Sequence, residues 1–154
     1  MDCHYFQRLF SQRSLHSIVV RDGLGYLLYL MMQATATELL YAINEYLPKL
    51  KTLNEEQSSI KPLPNKWSKK ELIGHLIDSA QNNIRRFIVA QYEHNPVITY
   101  QQDDWVTINN YQSYSVDDLI QLWYLLNKQI CSILNNASEH ILQRTCPGRI
   151  CAYH

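Results

Sequence analysis

At three places along this chain a serine or threonine, followed three residues later by an acid, stands before a run of apolar residues spaced three and four apart. The pairs are Thr35 with Glu38, Ser68 with Glu71, and Ser115 with Asp118. At this spacing the hydroxyl can accept a hydrogen bond from the third helical amide while the acid reaches back to the amide of the capping residue. Three such starts, each opening a 3.6-residue period, commit most of the chain to amphipathic helices that bury their stripes against one another. No stretch alternates well enough to predict a strand. The reading is all-α, an up-down helical bundle.

The first run places Leu39, Leu40, Ile43, Leu47, Leu50 and Leu53 on one stripe. Pro48 interrupts it, and because proline lacks an amide and crowds the preceding turn, the helix is expected to kink or end near Leu47. A loop follows through Pro62 and Pro64. The second run extends from Ser68 to about Glu93, with Ile73, Leu76, Ile77, Ala80, Ile84, Phe87, Ile88 and Gln91 on one side. At about 100° per residue, His75, Ser79, Asn82 and Arg86 form a polar strip on the opposite side. The third run, Ser115 to about Leu134, carries Val116, Leu119, Ile120, Trp123, Leu126, Ile130, Ile133 and Leu134 and is the clearest amphipathic helix. A linker of about twenty residues containing Asp103, Asp104 and Trp105 joins the second helix to the third. A connection this long is functional or crosses over a bundle.

With 154 residues, 46% of them hydrophobic, the chain suits one core. Fourteen basic and fourteen acidic residues cancel to a net charge of +0, which argues against nucleic acid or anionic membrane as a partner. The apolar run from Leu24 to Met32 is far shorter than the ~20 residues that span a bilayer. With Arg8, Arg13 and Arg21 ahead of it and Ala34-Thr35-Ala36 behind, the same run also reads as a signal-peptide core, and residues 3–21, free of acids, as an organellar presequence. A third reading makes residues 1–31 an extension before a start at Met31 or Met32, since all seven lysines lie at or after Lys49. The division adopted is an extension at 1–31, a bundle domain at 32–146 and a divergent tail at 147–154. Cysteines at 3, 131, 146 and 151 are too sparse for a disulfide scaffold and read as reduced thiols of a cytoplasmic protein.

The six histidines, at positions 4, 16, 75, 94, 140 and 154, include no two separated by three, four or five residues, so a helical zinc pair is absent. Periodicity alone sets His75 on a solvated helix face. The competing reading gives it a pocket or ligand role, with Asp78 orienting the imidazole. Cys146, Cys151 and His154 could hold a soft metal, but their spacing fits no common zinc framework and a loose tail is the plainer account. Glycine-rich phosphate loops and nucleophile elbows are absent. The eleven tyrosines read as half-buried bundle residues.

The segment from Pro64 to Phe87, with Lys66-Trp67-Ser68 at the helix start and His75-Leu76-Ile77-Asp78 after it, resembles the DinB-like family, which includes YfiT-type metal-dependent hydrolases and bacillithiol transferases. The resemblance extends over residues 32 to about 146, with Asp103-Asp104-Trp105 and the third helix in compatible places. It implies a four-helix bundle with one long crossover and a divalent metal, zinc or nickel, held by three histidines. One of these carries over, as His75. The other two form a His-x-x-x-His pair on the family's final helix, and this chain has no such pair. After Leu134 only twenty residues remain, with Pro147-Gly148 among them, so the fourth helix is expected to be missing or replaced. The resemblance thus implies a hydrolase or thiol S-transferase with a weakly held metal at His75 and a small thiol or other small molecule as substrate. Asp78 would orient the imidazole, and Asn82 or Arg86 would meet an anionic substrate. The alternative is a degenerate or truncated, non-catalytic bundle whose apolar groove is satisfied by self-association, as a homodimer.

Overall fold

The computed structural model describes residues 23–137 apart from residue 95, with side chains from Tyr29 onward. Helix α1 spans Gly23–Leu50, α2 Glu55–Ser59, α3 Lys69–Val89, α4 Gln102–Asn109 and α5 Val116–Asn136, with one 3-10 turn at Tyr111–Ser113. Among the described residues there is no strand. None of these helices is long and apolar enough to cross a membrane.

Two of the three hydroxyl–acid pairs do open helices. At α3 the Glu71 amide donates to Ser68 Oγ at 3.2 Å and the Ser68 amide donates to Glu71 Oε2 at 2.8 Å, so the box is closed from both sides. At α5 the Asp118 amide donates to Ser115 Oγ at 3.1 Å, while the Ser115 hydroxyl donates to Asp118 Oδ2 at 2.7 Å. The third pair is a correction. Thr35 lies inside α1, and its hydroxyl donates to the Met31 carbonyl at 2.8 Å. Upstream of it runs an apolar stretch with no proline, so the helix continues back to Gly23 and the local cap signal is overridden. The boundary drawn at residue 31 falls within this helix. Pro48 also lies inside α1, whose last residue is Leu50; the Lys51 amide still reaches the Leu47 carbonyl at 3.0 Å, so the proline removes a bond only where the helix is about to end. The expected loop after it contains α2, capped by Asn54, whose Oδ1 accepts from the amides of Glu56 and Gln57 at 2.8 and 3.3 Å.

Helix α5 is the central element, with extensive interfaces to both α1 and α3. The apolar stripes meet there. Leu39, Ile43 and Leu50 of α1, Ile73, Leu76, Ile77 and Ala80 of α3, and Leu119, Ile120, Trp123, Ile130 and Leu134 of α5 are buried in one core. Each such aliphatic side chain contributes about 1.5–3 kcal/mol on leaving water. Leu40 and Ile88, placed on the stripes by periodicity, are 38% and 41% exposed.

The linker after α3 is not an open loop. It doubles back along α3 as a strap, residues 96–113, that includes α4 and the 3-10 turn. The Ile98 carbonyl accepts from Arg86 Nη2 at 3.3 Å, Asn109 Nδ2 donates to Asp78 Oδ1 at 3.1 Å, and the Tyr111 hydroxyl donates to the same oxygen. This corrects the reading of the polar strip as solvated. His75 and Asn82 are only 2% and 3% exposed because the strip faces this polar strap. The first 22 residues of the 1–31 extension, residues 147–154 read as divergent tail, Cys146, Cys151 and His154 read as ligands, and the expected place of the missing fourth helix fall outside the described residues.

Candidate functional site on helix α3

The site begins with a glycine. A Cβ at Gly74 would lie 2.0 Å from Cδ2 of Tyr111, so the absence of a side chain creates the notch in which the tyrosine ring sits. One turn further on, Asp78 accepts the Tyr111 hydroxyl and the Asn109 amide. Gly74 and Asp78 together receive one aromatic residue. Burial pushes the Asp78 carboxyl up to about 6, against the pull of the Tyr111 hydrogen bond, and its buried Oδ2 has no hydrogen-bond partner among the described residues. Burial, and then the hydrogen bond to Asp78, raises the Tyr111 phenol as well. Asp78, expected to orient the imidazole, holds the strap through Asn109 and Tyr111.

His75 lies on the adjacent face. Its ring centroid is 5.2 Å from that of Trp67, with the planes tilted by 36°. Burial pushes its pKa below the ordinary value, opposed by the negative charge of Asp103 in the first turn of α4. Burial thus favours the neutral imidazole, the form that ligates a metal or accepts a proton. The acid whose charge reaches His75 is Asp103, which the sequence placed only in a linker.

Asn82 and Arg86 continue the same face. Asn82 Nδ2 donates to the Asp78 carbonyl at 2.9 Å. Arg86 donates from Nη1 to Asn83 Oδ1 at 3.1 Å and from Nη2 to the Ile98 carbonyl, while its buried Nε has no acceptor among the described residues. His75, Asn82 and Arg86 thus share a face, and Asp78 turns to Tyr111. The residues that sequence reasoning missed are Gly74, Trp67, Asn109 and Tyr111. Gly74 was the available signal, because a mid-helix glycine costs about 1 kcal/mol relative to alanine and marks a close approach.

Among the described residues no three of His, Cys, Asp and Glu come together in a group that could hold a metal ion. A separate cleft of about 380 Å³ near the C-terminal ends of α3 and α5 is lined, among the described residues, by Ile88, Gln91, Gln129, Ser132, Ile133 and Asn136.

A model of the DinB superfamily matches residues 38–152. The chain belongs to the DinB superfamily. Two bacterial proteins that resemble this DinB chain each carry the name "Putative metal-dependent hydrolase". The one from Oceanobacillus iheyensis is 32% identical over 94 residues, which cover 60% of this chain and 54% of that protein. The one from Halalkalibacterium halodurans is 33% identical over 82 residues, covering 53% and 47%. The DinB chain thus spans about half the length of these relatives. Among solved structures, YfiT from Bacillus subtilis, described as "a probable metal-dependent hydrolase with an unusual four-helix bundle topology", covers 86% of this chain and 76% of its own. Its TM-score of 0.63 at 16% identity establishes the shared all-α fold.

Proposed function

We propose that this DinB-superfamily chain is a metal-dependent hydrolase or thiol transferase in which His75 is the residue that α3 presents to a divalent metal, zinc or nickel. The observation that carries the reading is a buried imidazole, packed on Trp67, with the Asp103 carboxylate of the strap's first helical turn near it. The names of the two bacterial relatives support the metal-dependent hydrolase part of this reading.

The described residues fit such a metal only in part. Around His75 they supply no group of three ligands, and Glu139, His140, Cys146, Cys151 and His154 of the C-terminal segment lie outside them. Four-coordinate sites use three or four protein donors, so a single imidazole holds an ion weakly. What the chain's own residues do is clear without the ion. Trp67 packs against His75, burial favours its neutral form, and Arg86 offers positive charge along the same face.

Metal content measured on the purified protein and on His75→Ala tests this. The wild type is expected to hold less than one equivalent of zinc or nickel and His75→Ala none; a variant with the wild-type content would overturn the assignment.

A second reading, a non-catalytic bundle acting through self-association, is favoured by the apolar side chains left outward on α1 and α5. Leu40, Tyr41, Leu122 and Leu125 are 38%, 70%, 37% and 52% exposed. Sedimentation that shows a stable monomer at high concentration would remove it.

A further inference from the structure

We propose that the outward face of α5 is a self-pairing surface, on which a second copy of this chain lays its own α5 antiparallel about a two-fold axis between Trp123 and Tyr124. This rests on the self-association of the second reading above, and it holds whether or not the chain is catalytic.

Helix α5 gives Leu119, Ile120, Trp123, Ile130 and Leu134 to the core, and its opposite face carries a second stripe. Ser115, Asp118, Leu122, Leu125, Gln129 and Ser132 are all exposed there, at spacings of three, four, three, four and three, which is the period of a coiled-coil seam. Leu122 and Leu125 form the apolar centre, 37% and 52% exposed. Single exposed leucines are ordinary on a protein surface, and what sets this stripe apart is its order. From either end it runs hydroxyl, polar group, leucine, leucine, polar group, hydroxyl. A two-fold axis at its middle sets Ser115 against Ser132 of the second copy, Asp118 against Gln129 and Leu122 against Leu125. Each level then meets its own kind. A surface that matches itself in this way meets the condition for a closed, isologous dimer.

Charge decides the direction. Lys128 stands at the edge of the stripe, with its Nζ 5.5 Å from the centroid of the Tyr124 ring. Asp118 lies in the first turn of α5, where its carboxylate accepts the Ser115 hydroxyl at 2.7 Å and keeps acceptor positions for an ammonium. In a parallel pair Lys128 would meet Lys128 and Asp118 would meet Asp118. In the antiparallel pair Lys128 comes level with residue 119 of the second copy, about 1.5 Å along the axis from Asp118, and the two-fold axis makes this contact twice. The dipoles of the two helices are opposed as well, which favours the same direction. Exposed ion pairs add little affinity, so here they select orientation while the leucines supply the burial. About three turns of one helix cover less than the ~800 Å² per partner of a standard interface, so the dimer is a weak one, with a Kd on the order of 100 μM.

Sedimentation equilibrium of the full chain, from roughly ten times below that Kd to ten times above it, is the test. Wild type is expected to exchange between monomer and dimer, and more weakly as salt is raised. Leu125→Glu should weaken the dimer about tenfold or more and Lys128→Glu about fivefold, with Asp118→Asn in the Lys128→Glu background restoring part of the loss. Lys128→Glu that dimerises as wild type overturns the antiparallel arrangement, because in a parallel pair one like-charge contact merely replaces another. A dimer untouched by Leu125→Glu overturns the α5 seam and leaves self-association standing. A monomer throughout, the outcome if another segment of this chain or a different protein covers the face, overturns both. If Leu125→Glu fails to fold, Lys128→Glu and its partial rescue still decide.

Discussion

At Gly74, alanine would gain about 1 kcal/mol of helix propensity and would also drive a Cβ to 2.0 Å from Tyr111. The clash decides the sign, since overpacking costs about 1–3 kcal/mol. Gly74→Ala is therefore expected to destabilise the fold by ~1–2 kcal/mol, and the same change in a Tyr111→Ala background to be neutral or stabilising. Urea denaturation of the four proteins in the cycle measures this reversal. Asp78 makes a pH-dependent prediction. Its carboxyl keeps its proton to about 6 in the folded chain against an ordinary value of 3.8. Below pH 3.8 both states are protonated. As pH rises the unfolded chain ionises first, so stability is lost through the window from about pH 4 to 6 and is level above it. Relative to wild type, Asp78→Asn should gain on the order of 1–2 kcal/mol across that window and nothing further above about pH 7. Thermal melts at several pH values would show the rise, and a flat difference would mean that Asp78 does not titrate there.

Among the elements, the caps separate what local sequence determines from what it does not. Ser68 is fully buried, and its hydroxyl also accepts Gln112 Nε2 at 2.8 Å, so Ser68→Ala should cost about 2 kcal/mol in chemical denaturation. Ser115→Ala, at an exposed cap, should cost about half as much. Thr35→Ala should cost less than ~0.5 kcal/mol or stabilise α1, because Thr35 is a mid-helix residue bonded back to Met31. The three pairs look alike as letters, and only the residues upstream distinguish them. Most of the fold was legible in this way, since a 3.6 period names the apolar face of Ile73, Ile77, Leu119 and Trp123 directly. The site was less so. Helix α3 buries a second face, the one carrying His75 and Asn82, against a strap that is itself largely polar, and polar packing leaves no hydrophobic period to read. The contact of Tyr111 with Gly74 spans 37 positions in sequence, beyond any local pattern.

For the molecule as a whole, the strap should behave as a unit distinct from the bundle. Tyr111→Phe removes one buried hydrogen bond to Asp78, worth about 1 kcal/mol or more with a carboxylate acceptor. Amide exchange across Gln102–Ser113 is then expected to quicken several-fold while that of α5 stays unchanged. Equal acceleration in both would show that strap and bundle open together. The central placement of α5 carries a consequence for synthesis. Helices α1 and α3 have their extensive interfaces with α5, not with each other. On the ribosome, then, the stripes of Leu39, Ile43, Ile73 and Ile77 must wait in water until residues 116–136 clear the exit tunnel. The nascent chain passes through a stage in which two apolar faces and a finished strap precede the helix that joins them, and that interval is when chaperone contact counts most.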